Sequence, residues 1–133
     1  MKIEKQGGRF AAAQVWSNPD VGASFSTPVL KDGLLFGLSD KGNFFCLRAD
    51  DGKTAWIDTT RRDRFGAILD AGPVVLALPA STAELTLFSP TDRQYEELAR
   101  IKVSPTPTYA HPVLAGDRLF VKDRSSVTMY TLR

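Results

Sequence analysis

Arg61-Arg62-Asp63-Arg64 is the densest group of side chains here that could hold an anion, because guanidinium forks match a carboxylate or phosphate with two parallel hydrogen bonds. The same run also reads as a solvated loop with Asp63 as its local counter-ion. His111 is the single histidine, the ordinary side chain that titrates near neutrality, but no Ser–Asp pair and no set of metal ligands accompanies it. Cys46 is the single cysteine, so no disulfide within the chain and no cysteine cluster for zinc can form. Set between Phe44, Phe45 and Leu47, it reads as a packed apolar side chain. Asp50-Asp51-Gly52 and Asp40-Lys41-Gly42-Asn43 lack the alternating oxygen ligands and distal glutamate of a calcium loop and read as turns. The expectation is therefore no catalytic, cofactor-binding or metal-binding residue, and one candidate binding loop made of Arg61, Arg62 and Arg64 together with His111.

The elements that must position these residues are short. With 133 residues, 43% of them hydrophobic and 24% charged, the chain has the make-up of one globular domain. A net charge of +2 is too small to steer toward nucleic acid, and no apolar run approaches the length of a bilayer span. The first sixteen residues, MKIEKQGGRFAAAQVW, lack the apolar stretch and small-residue cleavage site of a signal peptide, so any leader is expected outside this sequence.

Between residues 26 and 59 four short apolar runs alternate with turn residues: Val29-Leu30, Leu34 to Leu38, Asn43 to Leu47 and Thr54 to Thr59. Each run is too short for a helix and is bounded by Gly, Asp or Asn, so the segment predicts a four-stranded antiparallel meander. The pattern recurs. Ala110 to Val121 repeats Ser26 to Gly37, with Pro112 at Pro28, Val113-Leu114 at Val29-Leu30 and Leu119-Phe120 at Leu35-Phe36. A fainter copy lies between them, with strands expected at Phe65 to Ile68, Pro73 to Leu78, Glu84 to Phe88 and Glu97 to Val103. A helix competes only over Asp92 to Arg100, where Pro90 and Pro105 close in, and turn plus strand is preferred. Ser104-Pro105-Thr106-Pro107-Thr108 reads as an extended linker. The first-turn glycines Gly33, Gly72 and Gly116 give a period of about 40 residues with four strands per unit, which is the pattern of a β-propeller blade.

Ser-x-Pro-Val-Leu, Asp-Gly-Leu-Leu-Phe-Gly, Gly-Asn-Phe-Phe-Cys-Leu and Asp-Gly-Lys-x-x-Trp together resemble the pyrroloquinoline-quinone-like β-propeller repeat. That repeat reads Ala-x-Asp-x-x-Thr-Gly-Lys-x-x-Trp. Gly52, Lys53 and Trp56 match it, whereas Cys46, Arg48 and Asp51 stand at its Ala, Asp and Thr. The resemblance is clearest over residues 26–56, fainter over 108–130 and weakest between. Trp16, after a strand over Phe10 to Val15, looks like the end of a preceding blade.

The resemblance implies an all-β chain forming one partial propeller domain over residues 1–133, with units at about 1–20, 26–60, 65–103 and 108–133. The count is twelve strands, or about three blades, where a ring needs four or more. Open ends of this kind call for a longer parent protein or for a second copy, two chains joining head to tail in a six-bladed ring. The implied role is a non-catalytic binding or scaffold module with a protein partner or self-association, without nucleic acid or membrane insertion, in the periplasm or secreted from a bacterium. The competing reading is the C-terminal fragment of a quinone-dependent propeller enzyme whose active site lies elsewhere. Bound quinone is not expected, because the acidic calcium ligands and vicinal disulfide of such enzymes have no counterparts among these residues.

Overall fold

The computed structural model describes residues 2–133 and contains thirteen strands and no helix among them. The first two, β1 (Lys2–Gln6) and β2 (Arg9–Ala13), form a hairpin. A four-stranded antiparallel meander follows: β3 (Val29–Lys31), β4 (Leu34–Leu38), β5 (Phe44–Arg48) and β6 (Thr54–Ile57). A second has the same order, with β7 (Gly66–Asp70), β8 (Val75–Pro79), β9 (Glu84–Phe88) and β10 (Glu97–Lys102). The third sheet has three strands, β11 (Val113–Ala115), β12 (Arg118–Lys122) and β13 (Val127–Thr131). These are propeller blades, and the described residues leave the ring open. The three first-turn glycines that set the repeat all adopt positive φ, 76° at Gly33, 79° at Gly72 and 61° at Gly116, the backbone region that other residues rarely enter.

Strand periodicity explains how the sheets stack. Successive side chains of a strand point to opposite faces, so a strand covered on both sides must be apolar throughout. Strand β8 is such a case, and all five of its residues are buried. Val75 and Ala77 face the first meander in a core with Phe36, Leu38, Phe44, Cys46, Trp56, Ile68 and Phe88. Leu76 and Leu78 face the third sheet in a second core with Leu85, Val103, Leu119 and Val121.

The structure differs from the sequence reading at several boundaries. The N-terminal strand covers Arg9–Ala13 rather than Phe10 to Val15, and β1 precedes it, so the count rises from twelve to thirteen. Ile3 is the sole apolar residue of KIEKQ, which is why its alternation gave no strand signal. The first meander's last strand ends at Ile57, and the second meander begins at Gly66. Residues 92 to 100 form turn and strand without helix.

Trp16 lies beyond the hairpin, within a strap that crosses the first meander. Its indole N–H donates to the Ala49 carbonyl at 2.9 Å, while Asn18 Nδ2 donates to Gly52 O at 2.7 Å and to Thr54 Oγ1 at 3.0 Å. At the opposite end of the meander, the Asp40 N–H donates to Gly22 O at 2.7 Å. Trp56 repeats the Trp16 contact one sheet later, donating to Thr91 O at 2.7 Å with its ring centroid 6.2 Å from that of Phe88. Gly52 lets Trp16 approach, since a Cβ there would sit 2.4 Å from the indole, and its φ of 71° disfavours any side chain.

Two substitutions test these indole contacts by urea denaturation. Trp56→Phe keeps a ring but removes the donor, and is expected to lower stability by about 1–3 kcal/mol. Gly52→Ala is expected to cost about 1–3 kcal/mol through strained backbone and displacement of Trp16; an unchanged midpoint would contradict that packing.

Candidate functional site

Loops between sheets and the turns between second and third strands share one end of the molecule. Backbone bonds join them: Arg62 N–H to Gly42 O at 2.8 Å, Ala80 N–H to Phe65 O at 2.9 Å, and Thr108 N–H to Ala80 O at 2.9 Å. The Ser81 N–H donates to Asp63 Oδ2 at 3.0 Å, and Ser104 Oγ donates to Asp123 Oδ2 at 2.9 Å. The arginine run and His111 therefore lie on one continuous loop surface.

The fold sorts the three arginines. Arg62 turns inward, its guanidinium carbon 4.0 Å from the centre of the Phe44 ring and 5.2 Å from that of Tyr95. Its Nη1 meets Asp58 Oδ2 at 2.6 Å and Thr60 O at 3.1 Å, and its Nη2 lies 3.3 Å from the Tyr95 hydroxyl. Both charged side chains of that pair are nearly covered, 8% exposed for Arg62 and 12% for Asp58. Delocalised charge, flat shape and directed N–H groups suit arginine to this cation–π and ion-pair arrangement. The Tyr95 hydroxyl donates to Glu97 Oε2 at 2.8 Å. Burial, then that hydrogen bond, pushes the phenol well above its ordinary range. Phe44, Asp58 and Tyr95 are thus partners that the arginine run did not reveal; Tyr95 lies 33 residues from Arg62.

Arg61 and Arg64 point outward. Arg64 lies 5.3 Å from the Phe65 ring, which stacks at 5.0 Å on Phe25, itself 73% exposed. Across the same end, Tyr109 is 74% exposed beside a hollow of about 260 Å³ lined by Pro107, Lys122 and Arg124. His111 is exposed just before β11, with Nδ1 2.9 Å from the Pro112 carbonyl. Thr108 Oγ1, next to Tyr109, is a buried hydroxyl without a partner.

Asp63 and Asp123 at this end hold turns together, while the Asp40 carboxylate is exposed. Asp63 also accepts the Phe65 N–H at 3.2 Å, and Asp123 accepts those of Ser125 and Ser126 at 2.9 and 2.7 Å. The Ser126 and Ser125 N–H groups, then the Ser104 hydroxyl, hold the Asp123 carboxyl down at about 2. At the opposite end Asp51 accepts the Lys53 N–H at 3.0 Å, which places Asp50-Asp51-Gly52 in a turn, and Lys53 Nζ lies 3.1 Å from Asp51. Cys46 is buried and its thiol is pushed up to about 12, first by desolvation, then by Asp92, against the opposing effect of Arg48. No group of three His, Cys, Asp or Glu among the described residues could hold a metal ion.

No protein-family model matches the chain, and no curated protein matches it. Solved structures do. BamB from Moraxella catarrhalis is similar with a TM-score of 0.63 and 14% identity, over 79% of this chain and 32% of that one. A chain of the mitotic checkpoint complex gives 0.65 and 10%, over 76% and 33%. The quinohemoprotein alcohol dehydrogenase ADHIIG from Pseudomonas putida HK5 gives 0.61 and 14%, over 88% and 20%. At such identities the likeness shows the β-propeller fold alone, and the chain spans about a third of the length of the first two.

Arg62→Ala leaves Asp58 buried without its cation and is expected to cost about 3–5 kcal/mol, against about 0.5 kcal/mol or less for Arg61→Ala or Arg64→Ala, compared by urea melts. Because the folded pKa of Asp123 is depressed, its contribution to stability is full above the ordinary carboxyl value and fades as pH falls toward about 2. The stability gap between the parent chain and Asp123→Ala should therefore close across that acid range. Cys46 should resist iodoacetamide at pH 8 in the folded chain and react once urea unfolds it.

Proposed function

We propose that this chain is a non-catalytic binding and scaffold module of a quinoprotein-like propeller, and that its loop end takes an acidic polypeptide segment carrying an aromatic or apolar side chain. One observation carries this reading. Arg61, Arg64 and Arg124 have no ion-pair partner among the described residues; Arg64 lies over the Phe65 ring that stacks on exposed Phe25, and Arg124 lines the hollow beside exposed Tyr109. Of the aspartates at this end, by contrast, Asp58, Asp63 and Asp123 are engaged internally and Asp40 is exposed. Positive charge beside exposed aromatic surface suits a partner that brings carboxylates and a side chain to bury. At the opposite end some charges are paired within the chain, Lys31 with Asp70 at 3.1 Å and Arg48 with Asp92 at 2.9 Å. A location outside the cytoplasm accompanies this reading, through the resemblance to the repeat family.

Self-association is the second element, supported by apolar surface at both ends of the stack. Val113, Val127 and Met129 on the outer face of the third sheet are 58%, 65% and 51% exposed, and Ile3 and Phe10 of the hairpin are 66% and 77% exposed. Two copies stacked head to tail would cover both surfaces in a six-bladed ring.

The peptide Glu-Glu-Phe-Glu-Glu and its lysine counterpart, titrated by fluorescence anisotropy, test the loop end. The acidic peptide should bind saturably, weaken with salt, and lose about tenfold in affinity in an Arg61→Ala, Arg64→Ala double variant. Equal binding of both peptides, or no loss in the variant, would overturn the assignment. Sedimentation velocity should show a dimer; a stable monomer at high micromolar concentration removes the ring. Pyrroloquinoline quinone with calcium should leave the melting temperature unmoved, and a saturable rise would favour the enzyme-fragment reading.

A further inference from the structure

Two indoles in this chain are seated on a backbone carbonyl in the same way, and a third place offers the same seat to a different occupant. Trp16 donates to the carbonyl of Ala49, the first residue after β5; Trp56 donates to the carbonyl of Thr91, just after β9. In both cases the tryptophan follows or belongs to the last strand of one unit, and the acceptor follows the third strand of the next. At the remaining interface the acceptor position falls to Leu132, the first residue after β13. The backbone around it matches: the Leu132 N–H donates to Asp117 O at 2.7 Å, as the Ala49 N–H donates to Gly33 O at 2.9 Å, each reaching its sheet's first turn. The Leu132 carbonyl receives no hydrogen bond from the described residues.

The donor position falls to Ala99. Trp56 lies opposite Cys46 on the neighbouring strand, and Ala99 lies opposite Leu87 in the next sheet. Cys46 and Leu87 occupy matching places, each turned toward the following sheet. A methyl group thus stands where the preceding sheet carries an indole. Beside Leu87, the residue opposite Ala99, is a groove of about 500 Å³ lined by Leu76, Leu87 and Ile101 from one sheet and by Asp117, Thr131, Leu132 and Arg133 from the other. Leu76 faces forward from its sheet as Phe36 does, and the Phe36 ring lies 6.1 Å from Trp56. The groove continues outward from the packed interface of Leu78, Leu85, Leu119 and Val121.

We infer that this groove is a binding site for the indole of a tryptophan borne by a partner polypeptide, its N–H donating to the Leu132 carbonyl and its ring lying between Leu87 and Leu132. The site is sized for more than a phenyl ring, apolar on both walls, and supplied with one acceptor, which is the chemistry that Trp16 and Trp56 meet at their own seats. It lies at the first-turn end, away from Arg61 and Arg64, so it stands or falls apart from the acidic-peptide reading.

N-acetyl-L-tryptophanamide is the probe, titrated into the full chain and followed by amide chemical shifts. Saturable shifts are expected at Leu87, Ile101 and Leu132, with the phenylalanine analogue several-fold weaker because it brings no ring N–H. Ala99→Trp should raise the melting temperature and abolish probe binding by supplying the indole from within. Ile101→Glu, at a half-exposed position, should preserve folding and weaken the probe at least tenfold. Absence of saturable shifts up to the solubility limit, or shifts unchanged in Ile101→Glu, would overturn the site.

Discussion

Burial of both faces of the second meander is the constraint on which the rest of this structure depends. A single four-stranded sheet with one covered face would leave half of Val75 to Leu78 in water. Stacked between two neighbours, the same strand places Val75 and Ala77 in one core and Leu76 and Leu78 in the other. Burial of this kind contributes roughly 25 cal/mol per Å² of apolar area, and it is non-directional, so it brings sheets together without fixing how they are rotated. Orientation comes from directional contacts at the perimeter: the indole hydrogen bonds, the Ser26 hydroxyl donating to Gly66 O at 2.9 Å, and the backbone bonds that tie the loop end.

The interface between the first and second meanders and the one to the third sheet differ in aromatic content. Phe36, Phe44, Trp56, Phe88 and Tyr95 form a connected group of rings between the first and second meanders, with centroids separated by 5.5 to 6.2 Å. Each such pair adds about 0.5–1.5 kcal/mol beyond its area. The interface to the third sheet is built of Leu and Val, with polar ties from the Tyr130 hydroxyl to Val103 O at 2.5 Å and from Ser104 Oγ to Asp123 Oδ2 at 2.9 Å. The first junction therefore carries the aromatic pairing energy, and the second relies on aliphatic burial.

Turns were the legible part of the sequence because their chemistry is local. Asp-Gly and Gly-Asn pairs impose backbone angles within three or four residues, and the strand positions between Val29 and Ile57 follow from them almost without tertiary information. The same held for the bland reading of Asp50-Asp51-Gly52, where Asp51 accepts a bond from a residue two places on. Trp16 was identifiable as a repeat tryptophan, yet its acceptor, Ala49, lies 33 residues away and only packing discloses it. Strand β1 escaped notice because a hairpin exposed on both faces has no need of alternating apolar residues. The loop surface was legible only as a composition: three arginines in four residues look alike on paper, and their separation into one inward and two outward side chains is decided by Phe44 and Tyr95, remote in sequence.

That separation has a consequence for motion. Pinning Arg62 between two rings divides the crossover from Asp58 to Phe65 into two arcs of a few residues each, and short arcs explore far less conformational space than one long loop. The exposed guanidinium groups on either side are held on stubby tethers, so little freedom remains to be surrendered when they meet a counter-charge.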